Sequence, residues 1–189
     1  TLYVSYCISY FRNVYSYFKE DEKWVQEAQN EFVDAYVELI QDNHYEKTAY
    51  TFYTLANLAR YINETCVCLN QNLLVPTEQC LEYLKQALVL HSDFYNAELL
   101  KAILCGSDKA FVLEGDKYYK IAFEHMQNRK YTSYPYYLYG RYWERTRKDI
   151  EKAKKYYELS FQINELEYRA IYKLAIIAKR EKRYEDSLT

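Results

Sequence analysis

Apolar positions along this chain recur at alternating steps of four and three, the spacing that lines one face of an α-helix. In residues 2–19 the stripe is Tyr3, Cys7, Tyr10, Val14 and Tyr17, although Leu2, Val4 and Tyr6 also alternate as in a strand. After the polar break Lys19–Lys23, Trp24, Ala28, Phe32, Ala35 and Leu39 predict a second helix over 23–41. A third is expected over about 46–63, with Phe52, Leu55, Ala56 and Ala59 on one side. From Asn63 to Pro76 the register breaks, and the stretch reads as an inserted loop, longer than an ordinary helix–helix connection. Pro76-Thr77-Glu78 starts the next helix, because proline is accepted in a first turn.

From there a second order appears. Three helices share a small residue, a bulky one four later and a small one three further on: Cys80/Leu84/Ala87, Gly115/Tyr119/Ala122 and Ala153/Tyr157/Ser160. The sets are offset by 35 and 38 residues. The alternate helices carry Ala102, Gly140 and Ala175, offset by 38 and 35. Small residues let helices approach and aromatic rings fill the grooves, so stacked helix pairs bury faces that one pair alone leaves open. Gly140 is therefore expected at a close approach, where Gly140→Leu overpacks and Gly140→Ala is mild or stabilising.

Within Tyr134–Leu188 the spacing follows W-x2-L-G-x2-Y, then A-x3-F. Tyr136, Tyr139, Gly140 and Trp143 hold the first four places, Ala153 and Tyr157 the next two, and Ile171, Leu174, Ala175 and Ala178 repeat the pattern. The chain thus resembles the tetratricopeptide-repeat family and its longer Sel-like relatives. The resemblance implies an all-α fold, a right-handed superhelical solenoid of antiparallel helix pairs. It also implies a function: binding a protein or peptide on the concave face, as a scaffold, receptor or sensor segment. By the same resemblance the first helix of each pair lines that face. Around Ala56 this selects Tyr53, Asn57, Arg60 and Tyr61; around Gly140, Tyr137, Arg141 and Arg145; around Ala175, Arg169, Tyr172, Lys173 and Arg180. Arginine forks and tyrosine hydroxyls suit carboxylates, phosphates and peptide backbone. The alternative is that these tyrosines pack between helices and the cations face water.

Composition agrees with helices. Among 189 residues only three are Gly and two Pro, too few for the corners of a many-stranded fold, while 25 are Tyr. The length reads as one domain over 1–189, with less regular helices in 1–45 and repeat-like pairs in 46–189. It is also read as a fragment of a larger protein, since it starts at Thr1 and stops in a helical pattern. The net charge of −2 conceals an asymmetry. Residues 129–183 hold 15 Lys+Arg against 7 Asp+Glu, whereas residues 1–128 hold 10 against 18. A basic C-terminal third attracts acidic segments of a protein partner, and a nucleic-acid-binding solenoid is the alternative function. Solvated helix surface explains the same charges without a ligand.

No catalytic constellation emerges, and the chain is not expected to be an enzyme. Three glycines preclude a glycine-rich phosphate loop. His44, His91 and His125 fall on different helices or their ends, and Cys66-x-Cys68 lacks the spacing and second pair of a zinc knuckle. No metal or other cofactor is expected. Five cysteines without a framework imply reduced thiols and a cytoplasmic setting. No apolar run is long enough to span a bilayer, so no membrane association is expected.

Overall fold

A computed structural model describes residues 21–41, 46–108, 110–126 and 132–188, with side chains as far as Lys182. The helix expected over 2–19, and His44, lie outside the described residues. Every regular element among the described residues is an α-helix: α1 (Glu22–Gln41), α2 (Ala49–Cys68), α3 (Thr77–Leu90), α4 (Tyr95–Ser107), α5 (Val112–Met126), α6 (Tyr134–Arg145), α7 (Ile150–Ile163) and α8 (Tyr168–Leu188). The chain divides into two compact units, Thr1–Leu100 and Lys101–Thr189, with the boundary inside α4.

In the first unit α1 packs on α2 and α2 on α3. The α1 stripe Val25, Ala28, Phe32 and Ala35 is fully buried, with Val25 rather than Trp24 at its head. Helix α2 lies between two neighbours, and its six residues Thr54–Ala59 are all buried in succession. A helix buried on both sides loses the polar face that a two-layer arrangement would leave it.

Residues 63–68, expected in the inserted loop, belong to α2. The helix continues because its far end still buries Ile62, Thr65 and Cys66, and the Gln29 amide of α1 donates to the Cys66 sulfur at 3.2 Å. It stops at Asn70, whose φ of 53° is the left-handed conformation that asparagine tolerates. There the Gln71 N–H donates to the Cys66 carbonyl and the Asn70 N–H to that of Val67, the paired bonds of a Schellman ending. The connection that remains is held from within: the Asn63 amide donates to the Val75 carbonyl at 2.6 Å and accepts from its N–H at 3.2 Å.

In the second unit α6 packs on α7 and α7 on α8. The recurring small–bulky–small sets are the buried stripes of α3, α5 and α7: eight of their nine side chains are at most 3% exposed, and Gly115 is buried too. Within the second unit rings fill the grooves beside the α5 and α7 stripes. Tyr119 of α5 stacks on Tyr139 of α6 at 4.7 Å, Phe123 on Tyr136 at 4.8 Å, and Tyr139 meets Tyr156 of α7 at 4.3 Å.

The glycines mark close approaches. A Cβ on Gly115 would lie 3.1 Å from the Gly106 Cα and 2.9 Å from the Tyr142 ring. A Cβ on Gly140 would lie 2.6 Å from two atoms of the fully buried Tyr157 ring. This corrects one expectation: even alanine is too large at Gly140, because that ring is walled in and its hydroxyl is tied to Glu144. Ala175, the counterpart of Gly140 on α8, is exposed; the buried small residue there is Ala170, which faces α7.

Candidate binding face

Helix α6 begins Tyr-Pro-Tyr-Tyr, with the proline in its first turn, where a missing N–H costs no helical bond. Helical spacing sets Tyr134, Tyr137, Arg141 and Arg145 along one side. The Tyr134 and Tyr137 rings lie 5.9 Å apart with planes 26° from parallel. The Arg141 guanidinium sits 5.9 Å from the Tyr137 ring centre. From α8, Arg169 reaches back to α6: its guanidinium lies 5.0 Å from the Tyr134 ring and 5.1 Å from the Tyr168 ring, and its Nε donates to the Tyr168 hydroxyl at 3.1 Å. The result is a tyrosine surface with arginines around it.

The electrostatics locate the positive charge. Burial raises the Tyr137 phenol above its ordinary value, and the charges of Arg141, Arg169 and Arg145 pull against that rise. Three guanidinium groups thus act on one phenol. Among the described residues no carboxylate lies within ion-pair distance of Arg141 or Arg145, and Arg169 has only a loose contact, 3.8 Å to the buried Glu167. Three lysines of the same unit do have carboxylate partners. Lys120 pairs with Asp116 at 2.7 Å, Lys152 with Asp149 at 3.2 Å and Lys154 with Glu181 at 3.0 Å.

Lys173, expected on the same face, belongs to the interior instead. Its ammonium lies 2.8 Å from Glu144, and both side chains are largely buried. Glu144 also accepts from the Tyr157 hydroxyl at 2.6 Å, so one carboxylate ties α6, α7 and α8 together. Burial alone would raise the Glu144 carboxyl; the hydrogen bonds from Lys173 and Tyr157 and the Lys173 charge outweigh it and hold the group below the usual glutamate value. Tyr172 and Arg180 are exposed on α8.

The four positions expected in the first unit do not form a comparable face. Asn57 and Tyr61 are buried, and Tyr61 stacks on Phe32 of α1 at 5.2 Å. Arg60 is ion-paired with Glu64, donates to Asn57 and lies 4.0 Å over the Tyr61 ring. Tyr53 is half-buried against Phe94, 5.2 Å between ring centres. Sequence reasoning missed Tyr134 and Tyr168. The signals were present, since Tyr134 stands three residues before Tyr137 and Tyr168 immediately before Arg169.

Other chemistry is sparse. Among the described residues no group of three or more His, Cys, Asp or Glu is placed to hold a metal ion. Cys66 is buried and Cys68 exposed, so the two thiols do not converge. Burial pushes the Cys80 and Cys105 thiols up to about 11. No described helix is long and apolar enough to cross a membrane. No family model matches the chain, and comparisons with curated proteins and with solved structures likewise return no match.

Proposed function

We propose that the chain is a helical-repeat binding protein of the tetratricopeptide kind, a right-handed superhelix of antiparallel pairs. In this reading its second unit holds an acidic segment of a protein partner on the face formed by Tyr134, Tyr137, Arg141, Arg145 and Arg169. The observation that carries the reading is the arginine–tyrosine cluster, Arg141 beside Tyr137 and Arg169 beside Tyr134, in which Arg141 and Arg145 have no carboxylate at ion-pair distance whereas Lys120, Lys152 and Lys154 each have one. Arginine presents a planar fork that matches a carboxylate, and its weak hydration lowers the cost of leaving water. Tyrosine offers apolar area and a hydroxyl while losing little side-chain freedom. At physiological salt such attraction reaches about 8 Å, so arginines converging from α6 and α8 act on one segment where scattered cations would not.

The test is a fluorescence-anisotropy titration of the full chain with a labelled peptide rich in Glu and Asp, against a neutral peptide of equal length. The expected result is saturable binding that weakens with salt and falls by about tenfold or more in Arg141→Glu/Arg169→Glu, with the helical signal unchanged. Lys173 is left alone, because reversing it would break the Glu144 network and confound the result. Equal affinity for wild type and the double variant would remove the face from consideration. Exposed Tyr168 and Tyr172 beside arginines also suit base stacking, and this favours single-stranded nucleic acid as the second reading. A single-stranded oligonucleotide that binds more tightly than the acidic peptide would decide for it.

A further inference from the structure

The outward side of α8 repeats the surface of α6 on which α7 is seated. On α6 that seat is Tyr137, Gly140 and Trp143. The Tyr137 ring lies 5.9 Å from Tyr157, Gly140 leaves no room for a Cβ beneath the same ring, and Trp143 packs on the Ala153–Tyr157 cluster. Thirty-five positions later the same three places on α8 are Tyr172, Ala175 and Ala178. The inner stripe of α8, Ala170, Leu174 and Ile177, already packs on α7. Helical periodicity puts Tyr172, Ala175 and Ala178 on a different side, with Ile171 at the edge. That side is open: Ala175 and Ala178 are exposed, Ile171 is 41% exposed and Tyr172 65%.

Trp143 of the first seat is Ala178 in the second, and two further differences define what fits the open one. Beside its seat α6 carries Glu144, which accepts from Tyr157; at the equivalent place α8 carries Lys179, with Lys182 one turn further on. Both lysines are exposed and neither has an ion pair among the described residues. A helix in this seat therefore meets ammonium groups where α7 meets a carboxylate, and acidic flanks complement it. The second difference is the methyl of Ala175 where Gly140 has none. A ring as close as Tyr157 would collide with it, so the occupant's central residue is smaller than tyrosine. A second copy of α8 is disfavoured, since its own flanks are Lys179, Arg180 and Lys182 and like charges would face each other.

We propose that this side of α8 receives an amphipathic helix of a partner protein. The occupant carries small, leucine-sized and small residues at i, i+4 and i+7 with acidic flanks, and lies as α7 lies on α6. The seat borders the arginine face at Tyr172, which stands three residues after Arg169, while Ala175 and Ala178 lie further round α8.

The probe is a labelled peptide of residues 149–164 of this chain carrying Lys154→Glu, Tyr157→Leu and Phe161→Glu, titrated with the full chain. Wild type is expected to bind it saturably. Ala175→Glu, at an exposed position that leaves the helical signal and melting temperature in place, is expected to weaken binding by about tenfold or more. Absence of saturable binding overturns the proposal, and so does equal affinity for wild type and Ala175→Glu. Sedimentation of the wild type as a dimer that Ala175→Glu converts to monomer also overturns it, because a second copy then fills the seat.

Discussion

Gly140 and Glu144, one turn apart on α6, are the residues on which the second unit turns. A helical glycine costs about 1 kcal/mol relative to alanine, so its place here needs a packing reason. That reason is the Tyr157 ring, against which any Cβ would lie at 2.6 Å. Gly140→Ala is therefore expected to destabilise by about 1–3 kcal/mol, the usual range for overpacking, and Gly140→Leu by more. Urea unfolding checks the sign; a stabilised alanine variant would mean that the ring moves aside freely. Glu144 makes a pH prediction. Its carboxyl is held below the ordinary glutamate value of about 4.3, so its stabilising effect is fully present above that value. The effect is lost as pH falls through the lowered value. Glu144→Gln should cost about 1.5–3 kcal/mol at neutral pH, the range for hydrogen bonds to a charged group. It should also flatten the acid limb of the stability profile; an unchanged limb would show that other carboxylates set it.

The helices themselves show how far local rules reach. The Thr48 hydroxyl accepts from the Thr51 N–H at 3.2 Å and the Thr51 side chain caps in return, closing the start of α2. Thr48→Ala should cost about 1 kcal/mol by thermal unfolding, and no change would mean that water replaces the cap fully. The buried stripes of α3, α5 and α7 were legible because small–bulky–small spacing records both faces of a contact in one helix. The end of α2 was not legible. Asn63, Thr65 and Cys66 have the composition of a loop, but Thr65 and Cys66 are buried, Gln29 of α1 reaches Cys66, and the Asn63 amide serves the connection. Tyr61 offers no face because it stacks on Phe32 of α1, and Arg60 is engaged within α2 by Asn57, Glu64 and the Tyr61 ring. A repeat alignment treats α2 as the open helix of a pair, whereas α1 occupies its side. Ala175 fails in the opposite way, since its register is that of Gly140 but no helix lies over it among the described residues.

For the molecule as a whole, the basic C-terminal third resolves into two populations. Lys152, Lys154 and Lys173 are consumed by internal pairs, and net charge alone could not separate them from Arg141 and Arg145. What distinguishes Lys154 and Lys173 is partner geometry across helices, to Glu181 and Glu144, which a linear count does not contain. The central claim is that the free arginines and their tyrosines form the binding face. It is tested most directly by amide chemical-shift mapping of the full chain during titration with the acidic peptide. Perturbations are predicted along Tyr134, Tyr137, Arg141 and Arg145 of α6 and at Tyr168 and Arg169 of α8, fading as salt is raised. Perturbations centred on Tyr53–Tyr61 of α2, or spread evenly over all exposed cations, would contradict it.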